Sequence, residues 1–395
     1  MLNRVAASCA LVLISSPALA FEFSFKGMIK PEMVASDQGV ASYGSAYSQV
    51  APTHALRTDI FGGAPATEQQ TTFLSSDASS FQAAQSRFSL NMSHEKVRTV
   101  LEFDCIDGED GFTNQTAIQA QEPRLRLATL YYDMDENWTF FGGQKWSTAA
   151  GIKSSGSYNW IGNAYRAGNS GFLAVEVGAT YKNDGLTVTG ALTGKGRNAT
   201  AGGINANELG SMPGFAVDVN YSFSGHKIGA AGHFAELNFE DEAGFTAGEN
   251  QDANLLKMYT TLNFGSVSVN AEYYTGEALN NQNALGVAPS SGLNAAGEVR
   301  ESFSESGFFT YVTWKLNADS TIKVGYASAS VDSGDRARLS LTDLNENTTA
   351  YINYGHKITD SFTAFVQLTN FNTEYGSDFE DFSANVGRAG VVFKF

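Results

Sequence analysis

The side chains that could act as catalysts are few and lie far apart in the sequence. The chain of 395 residues has five histidines, and three of them (His94, His226 and His356) fall at or beside short predicted turns. His233 has Glu236 nearby but no serine nucleophile motif, and no phosphate-binding glycine loop or cluster of metal-ligating residues is present in the sequence. We therefore expect no enzymatic activity, no cofactor and no metal.

Basic residues follow a more regular pattern. In "PRLRLATLYY", Arg124 and Arg126 alternate with Leu125, Leu127 and Tyr131. In a β-strand such alternation places the two sets on opposite faces. Taking the apolar face as the outer one, we assign to the inner, pore-lining face Arg87, Arg98, Arg124, Arg126, Lys257 and Arg388, together with Lys30, Lys315 and Lys323.

Fewer acids share the inner face, namely Glu32, Glu102, Asp104, Glu176, Asp218 and Glu272. Two interpretations stay open. The arginines can pair with these acids and shape the wall, or the surplus positive charge can select anions, since a guanidinium stays charged and matches a carboxylate.

One long connection, residues 148–170, is predicted to form a constriction loop. It is rich in glycine and serine and carries Lys153, Tyr158, Trp160 and Arg166. A loop folded into a water-filled interior needs glycines for tight turns and polar groups that stay hydrated. The alternative is an ordinary surface loop, where exposed aromatic side chains would be unfavourable.

The elements that must position these residues are strands. Alternation of polar and apolar residues, bounded by turn residues, predicts sixteen of them. Their approximate bounds are 23–36, 82–94, 96–107, 122–134, 137–147, 171–182, 185–195, 214–224, 226–239, 253–265, 267–278, 303–317, 320–332, 347–358, 361–375 and 383–395.

The connections between these strands alternate between very short turns, such as "YKNDG" and "FSGHK", and long loops, the first at 37–81. This pattern is typical of a transmembrane antiparallel up-and-down β-barrel of about 16 strands, with short periplasmic turns and long extracellular loops. The inner faces are too polar for a small closed core, and a barrel this wide holds water. We therefore predict an all-β protein.

The two ends of the sequence predict export. Residues 1–20 combine Arg4, a short apolar stretch and Ala18-Leu19-Ala20, as in a signal peptide, which leaves 21–395 as one barrel domain. The sequence closes on an amphipathic strand that ends in Phe395, a feature typical of outer-membrane barrels. We expect a bacterial outer-membrane location.

The charge of the chain excludes one class of partner. Without Arg4, the 25 basic residues become 24 against 41 acidic ones, a net charge of −17. So acidic a protein is not expected to bind nucleic acid. The acids gather in the long loops, for example in Glu240-Asp241-Glu242, and predict a solvated outer surface; contact with lipopolysaccharide through divalent cations is the alternative.

Several ordered blocks resemble the DcaP-like trimeric porins. They are "FKGMIKPEMVASD", "AAQSRFSLNM", "VLEFDCIDG", "PRLRLATLYYD" and "WTFFGGQKWST", which cover roughly the first 150 residues after the signal peptide and include Arg87, Arg124, Arg126 and Gln144. The resemblance implies a sixteen-stranded homotrimer biased toward anionic solutes such as dicarboxylates. The periplasmic coiled coil of some members is missing from the sequence, which leaves trimer contacts to the barrel walls.

The pattern and the resemblance together lead to one expectation about function. We expect a porin in the lipid bilayer whose water-filled channel lets small hydrophilic solutes, preferentially anions, diffuse passively. A substrate-specific channel, for dicarboxylates for example, and a non-conducting structural or adhesin barrel are the alternatives.

Overall fold

The computed structural model describes residues 22–37, 40–43, 46–50, 78–83, 85–104, 124–158, 166–171, 173–194, 199–201, 204–206, 212–238, 250–282, 286–289, 301–339, 343–376 and 382–395. The predicted signal peptide, Trp160, Glu240-Asp241-Glu242 and most of the first loop lie outside these residues.

Sixteen strands make up the wall. They are β1 (Glu22–Ile29, continued by Glu32–Ser36), β2 (Ala78–Gln82, continued by Arg87–His94), β3 (Val97–Asp104), β4 (Arg124–Asp133), β5 (Trp138–Trp146), β6 (Leu173–Asn183), β7 (Leu186–Thr193), β8 (Gly214–Phe223), β9 (His226–Asn238), β10 (Asn250–Phe264), β11 (Val267–Glu277), β12 (Ser304–Lys315), β13 (Ser320–Val331), β14 (Leu344–Thr359), β15 (Phe362–Tyr375) and β16 (Phe382–Lys394).

The wall is a closed antiparallel barrel. Each strand pairs with its neighbours in sequence, and β1 also pairs with β16, with Met28 opposite Lys394 and Val34 opposite Arg388. The break in β1 falls at Lys30-Pro31, where proline has no N–H to offer the ladder. The predicted fold class is therefore confirmed.

The short turns explain how neighbouring strands are joined. Asp184-Gly185 and Ser224-Gly225 connect β6 to β7 and β8 to β9, and all four residues have positive φ, of 42°, 85°, 45° and 82°. Two residues of positive φ form the type I′ turn whose twist matches a β-hairpin, and glycine adopts it without strain. The described parts of the long connections contain two small hairpins, Val40–Tyr43 with Ala46–Val50 and Ala199–Ala201 with Ile204–Ala206.

The outer face is apolar. Phe25, Met258 and Leu368 are 61%, 64% and 66% exposed, and they are three of many large apolar side chains on this face. Apolar exposure on this scale indicates a surface covered by lipid. Within the described residues, no helix is long and apolar enough to cross a membrane.

One sequence-based assignment of a face is wrong. Tyr131 was expected to point outward, but its ring lies 4.7 Å from the guanidinium of Arg98, its register partner on the inner face. The cause is a β-bulge between β3 and β4, where the register shifts between Glu102 and Phe103. One extra residue reverses the alternation beyond it, and Leu130 and Tyr132 face outward instead.

The seam between β1 and β16 is reinforced by aromatic rings. Gly27 and Phe395 exchange backbone hydrogen bonds of 3.0 and 3.1 Å, and the Phe395 ring packs against Phe25, Phe88 and Phe393. A Cβ at position 27 would come within 2.5 Å of the Phe395 ring. Glycine at this position therefore leaves the space that the ring fills.

Candidate functional site

The long connection between β5 and β6 lies inside the barrel. Its described residues, 147–158 and 166–171, are here called the constriction loop. The loop begins with a short turn of 3-10 helix, Thr148–Ala150, and the backbone N–H and hydroxyl of Thr148 both donate to Glu176 on the inner face of β6. The loop then follows the inner wall as far as β1.

A buried ion pair holds both limbs of this loop. Lys257 on β10 and Glu272 on β11 are 3.0 Å apart, and both side chains are fully buried. The Nζ of Lys257 also donates to the carbonyls of Ala150 and Ser170, at 3.3 and 2.6 Å.

The Glu272 carboxylate, like the Lys257 ammonium, also makes hydrogen bonds to both limbs of the loop. Glu272 accepts hydrogen bonds from the backbone N–H of Ile152 at 2.8 Å and from the side-chain amide of Asn169 at 3.2 Å. The two limbs of the loop are therefore held by the same ion pair. A buried pair is tolerated only when such further bonds satisfy it.

The middle of the loop is fixed to strands on the far side. The side-chain oxygen of Gln367 on β15 accepts from the backbone N–H of Tyr158 at 2.7 Å, and the Nζ of Lys30 on β1 donates to the carbonyl of Tyr158 at 2.6 Å. The Tyr158 ring stacks on Phe365 with centroids 4.1 Å apart. Gly355 makes this approach possible, since a Cβ there would lie 2.2 Å from the Tyr158 hydroxyl oxygen.

The wall next to Tyr158 carries a band of charges, here called the charge band. Five basic residues lie on the inner faces of β16 and of β1 to β4, and three acids lie among them. The basic members are Arg388, Lys30, Arg87, Arg124 and Arg126, and the acidic members are Glu32, Glu102 and Asp104.

Ion pairs organise this band. Arg124 makes two bonds to Asp104, of 3.0 and 2.9 Å, and Arg126 pairs with Glu102. Glu32 accepts from both Arg388 at 2.8 Å and Lys30 at 3.0 Å. With five positive and three negative side chains, the band keeps a surplus of positive charge.

The predicted pore-lining residues differ in their access to water. Arg126, Lys257 and Arg388 are only 2–3% exposed. Arg124 keeps 30% of its side chain exposed, and Arg98 keeps 47% near the periplasmic end, where it is paired with Asp133. Arg87 is half-buried and, with Glu102, lines a cavity of about 400 Å³.

The constriction loop adds two positive charges and no negative one. Residues 147–171 contain Lys153 and Arg166 but no aspartate or glutamate. Lys153 is exposed to the lumen, although the surrounding protein and the charges of Lys145 and Lys227 lower the pKa of its amine. Arg166 is half-buried with a φ of 57°, and its carbonyl accepts from the side-chain amide of Asn347.

Sequence reasoning missed the polar residues that receive the loop. Gln367, Asn347 and Asn353 sit on inward positions and are 0–2% exposed, and each bonds to the constriction loop. Their alternation with apolar residues identifies the inner face, but nothing in it distinguishes a side chain that holds a loop from one that meets water.

Three solved structures share this fold at low sequence identity. The outer membrane channel DcaP of Acinetobacter baumannii superposes with a TM-score of 0.73 at 14% identity, over 96% of this chain and 99% of that one. An anion-selective porin from Comamonas acidovorans superposes with a TM-score of 0.61 at 10% identity, over 95% of this chain and 100% of that one. Salmonella typhi OmpF, in complex with daunomycin, gives 0.59 at 11% identity, over 94% and 97%.

The chain has the outer-membrane porin fold. No protein-family model and no curated protein sequence matches it. Among the described residues, no group of three or more His, Cys, Asp or Glu side chains is placed to hold a metal ion.

We predict that Lys257→Met loosens the constriction loop. The change leaves Glu272 buried without its bonded cation and removes the donor to two loop carbonyls, and breaking one side of a buried pair costs about 3–5 kcal/mol. The thermal unfolding temperature should fall, and single-channel conductance should rise.

A double variant tests whether the unpaired charge of Glu272 causes the loss of stability in Lys257→Met. The double variant Lys257→Met/Glu272→Gln should recover part of the lost stability, because no unpaired charge remains. The control is Lys357→Met, which removes an exposed lysine paired with Asp360 at a periplasmic turn. If Lys257→Met behaved like this control, the anchoring role would be wrong.

Proposed function

We propose that this protein is a passive, water-filled channel for small hydrophilic solutes that prefers anions. The observation that carries the proposal is the sign of the charges in the charge band and on the constriction loop. The charge band has a positive surplus, and the constriction loop adds Lys153 and Arg166 but no acidic residue of its own.

The strongly acidic character of the whole chain does not argue against this preference. Charges on outer loops are screened beyond a Debye length of ~8 Å at physiological salt, whereas charges in a narrow pore act on every ion that passes. Asp332 and Asp335 are described examples of such acids, and both lie in the loop between β13 and β14. A preference for anions is compatible with this fold, since one of the matched porins is anion-selective.

Diffusion is favoured over specific binding by the ion pairs in the wall. A channel that binds dicarboxylates would present guanidinium groups to the solute. Here Arg124 and Arg98 each use two N–H groups on one carboxylate, of Asp104 and Asp133. Such two-bond pairs orient the arginines along the wall and leave fewer of their N–H groups for a solute carboxylate.

Reversal potentials across a salt gradient test the preference. A unit charge ~10 Å from a passing ion in water contributes about 0.4 kcal/mol, of opposite sign for an anion and a cation, which is roughly a twofold change for each ion and a fourfold change in their permeability ratio. We expect chloride to permeate faster than potassium in the parent. In the double variant Arg124→Ala/Lys153→Ala the permeability ratio should fall by about 16-fold.

A matched pair of substitutions outside the constriction serves as the control. Arg338→Ala/Lys357→Ala also removes one arginine and one lysine, from an extracellular loop and a periplasmic turn, and both are paired with acids. This variant should keep the parental ratio. A cation preference in the parent, or equal effects of the two double variants, would refute the proposal.

We also propose that the protein assembles as a homotrimer through its barrel walls. One support is the resemblance of the first blocks of sequence to the DcaP-like trimeric porins. The other is the small outward residue Gly387 on β16, where an added Cβ would approach no atom closer than 3.8 Å. Gly27 does not add to this surface, because Phe395 covers it. Chemical cross-linking in mild detergent should give a band at three times the monomer mass, and monomer alone would contradict this state.

A further inference from the structure

A second segment of chain lies in the lumen, on the extracellular side of the constriction loop. It comprises residues 286–289 of the long connection between β11 and β12 and is here called the L6 segment. Its wall contact is Glu305, on the inner face of β12, where Phe308 and Val312 point outward. A Cβ at Gly286 would lie 2.4 Å from the Glu305 carboxylate oxygens.

Glu305 holds this segment through a set of hydrogen bonds. Its carboxylate accepts from the backbone N–H groups of Val287 and Ala288, at 3.2 and 2.6 Å, and from the hydroxyl of Tyr274 at 2.8 Å. Glu305 is 0% exposed. Burying a carboxylate is costly, and these donors replace the water it loses.

Apolar contacts support the same position. Leu279, Val287, Ala288 and Phe303 are at most 2% exposed and belong to one cluster with inward side chains of the wall, among them Leu255, Val331 and Tyr375. An apolar wall inside a water-filled barrel is unfavourable unless it is covered. The L6 segment and its flanking residues supply that cover.

The L6 segment and the constriction loop occupy successive levels of the lumen. Glu272, the anchor of the constriction loop, is the register partner of Phe309, which lies four residues from Glu305 along β12. At a rise of about 3.3 Å per residue the two anchors are roughly 13 Å apart. Arg166 of the constriction loop lies within electrostatic range of Glu305, so the two levels are neighbours.

We propose that the L6 segment is a second constriction of the channel and that Glu305 is the residue that positions it. A solute entering from outside passes the L6 segment before it reaches the constriction loop. The proposal rests on the channel function proposed above for its effect on conductance, but the position of the segment can be tested independently of conduction.

Cysteine accessibility tests that position. Ala288→Cys is introduced in a Cys105→Ser background, and the purified protein is reacted with a membrane-impermeant methanethiosulfonate reagent. In the parent, position 288 should react slowly because it is covered. With Glu305→Ala two buried N–H groups lose their acceptor, the segment is released, and the reaction should be roughly tenfold faster.

Graded variants separate this role from a general loss of structure. Tyr274→Phe keeps both backbone hydrogen bonds, so position 288 should react within about twofold of the parental rate. Glu305→Gln loses one acceptor oxygen, and its labelling rate should lie between those of the parent and Glu305→Ala. Glu277→Ala removes another carboxylate at the same rim, one that accepts a hydrogen bond from the Ser304 hydroxyl, and should leave the rate unchanged. Glu305→Ala should also raise single-channel conductance and admit larger polyethylene glycols.

The outcomes distinguish this proposal from the channel function. A conducting, anion-selective protein in which position 288 reacts fast from the start, or in which Glu305→Ala changes neither labelling nor conductance, would overturn the second constriction. If all variants gave the expected labelling rates but the protein conducted no ions, the position of the L6 segment would be supported and the channel function would be overturned.

Discussion

A hydrocarbon layer offers no hydrogen-bond partner to a peptide group, and this constraint determines the wall of the molecule. Each strand must have a partner on both edges, so the sheet has to close on itself. The closure between β1 and β16 is therefore a requirement of the membrane setting, and Phe395 reinforces it through its bonds to Gly27. Once the sheet is closed, alternate residues face lipid and lumen, and the sequence must supply apolar and polar side chains in turn.

Closing sixteen strands creates a lumen wider than a selective channel needs, and the chain narrows it with its own loops. A loop inside the lumen brings peptide groups that need partners, and inward polar side chains provide them: Glu272 and Lys257 for the limbs of the constriction loop, Gln367 for its middle, and Glu305 for the L6 segment. The inner wall thus contains two kinds of polar residue. Some hold loops and are buried, and others, such as Arg124, keep contact with water.

The strands could be predicted from the sequence because one periodicity encodes them. Residues 214–224 and 226–239 were expected as a pair, and the strands Gly214–Phe223 and His226–Asn238 lie there, joined by a turn whose serine and glycine mark it. The face of Tyr131 could not be predicted, because a single bulge reverses the alternation without a sequence signal. The partners of the constriction loop could not be predicted either. Gln367 bonds Tyr158 across 209 positions of sequence, and only the closed barrel brings the two residues together. Lys257 could be assigned to the inner face, but its burial follows from the loop that covers it.

We infer that these inward loops narrow the lumen without closing it. The most direct test is the single-channel conductance of the purified protein in a planar bilayer. We expect discrete insertion steps to a stable open level in symmetric salt, with current that rises in proportion to salt concentration, as in a water-filled path. A protein that inserts as a heat-modifiable barrel, yet gives no steps at any voltage, would show instead that the loops plug the lumen.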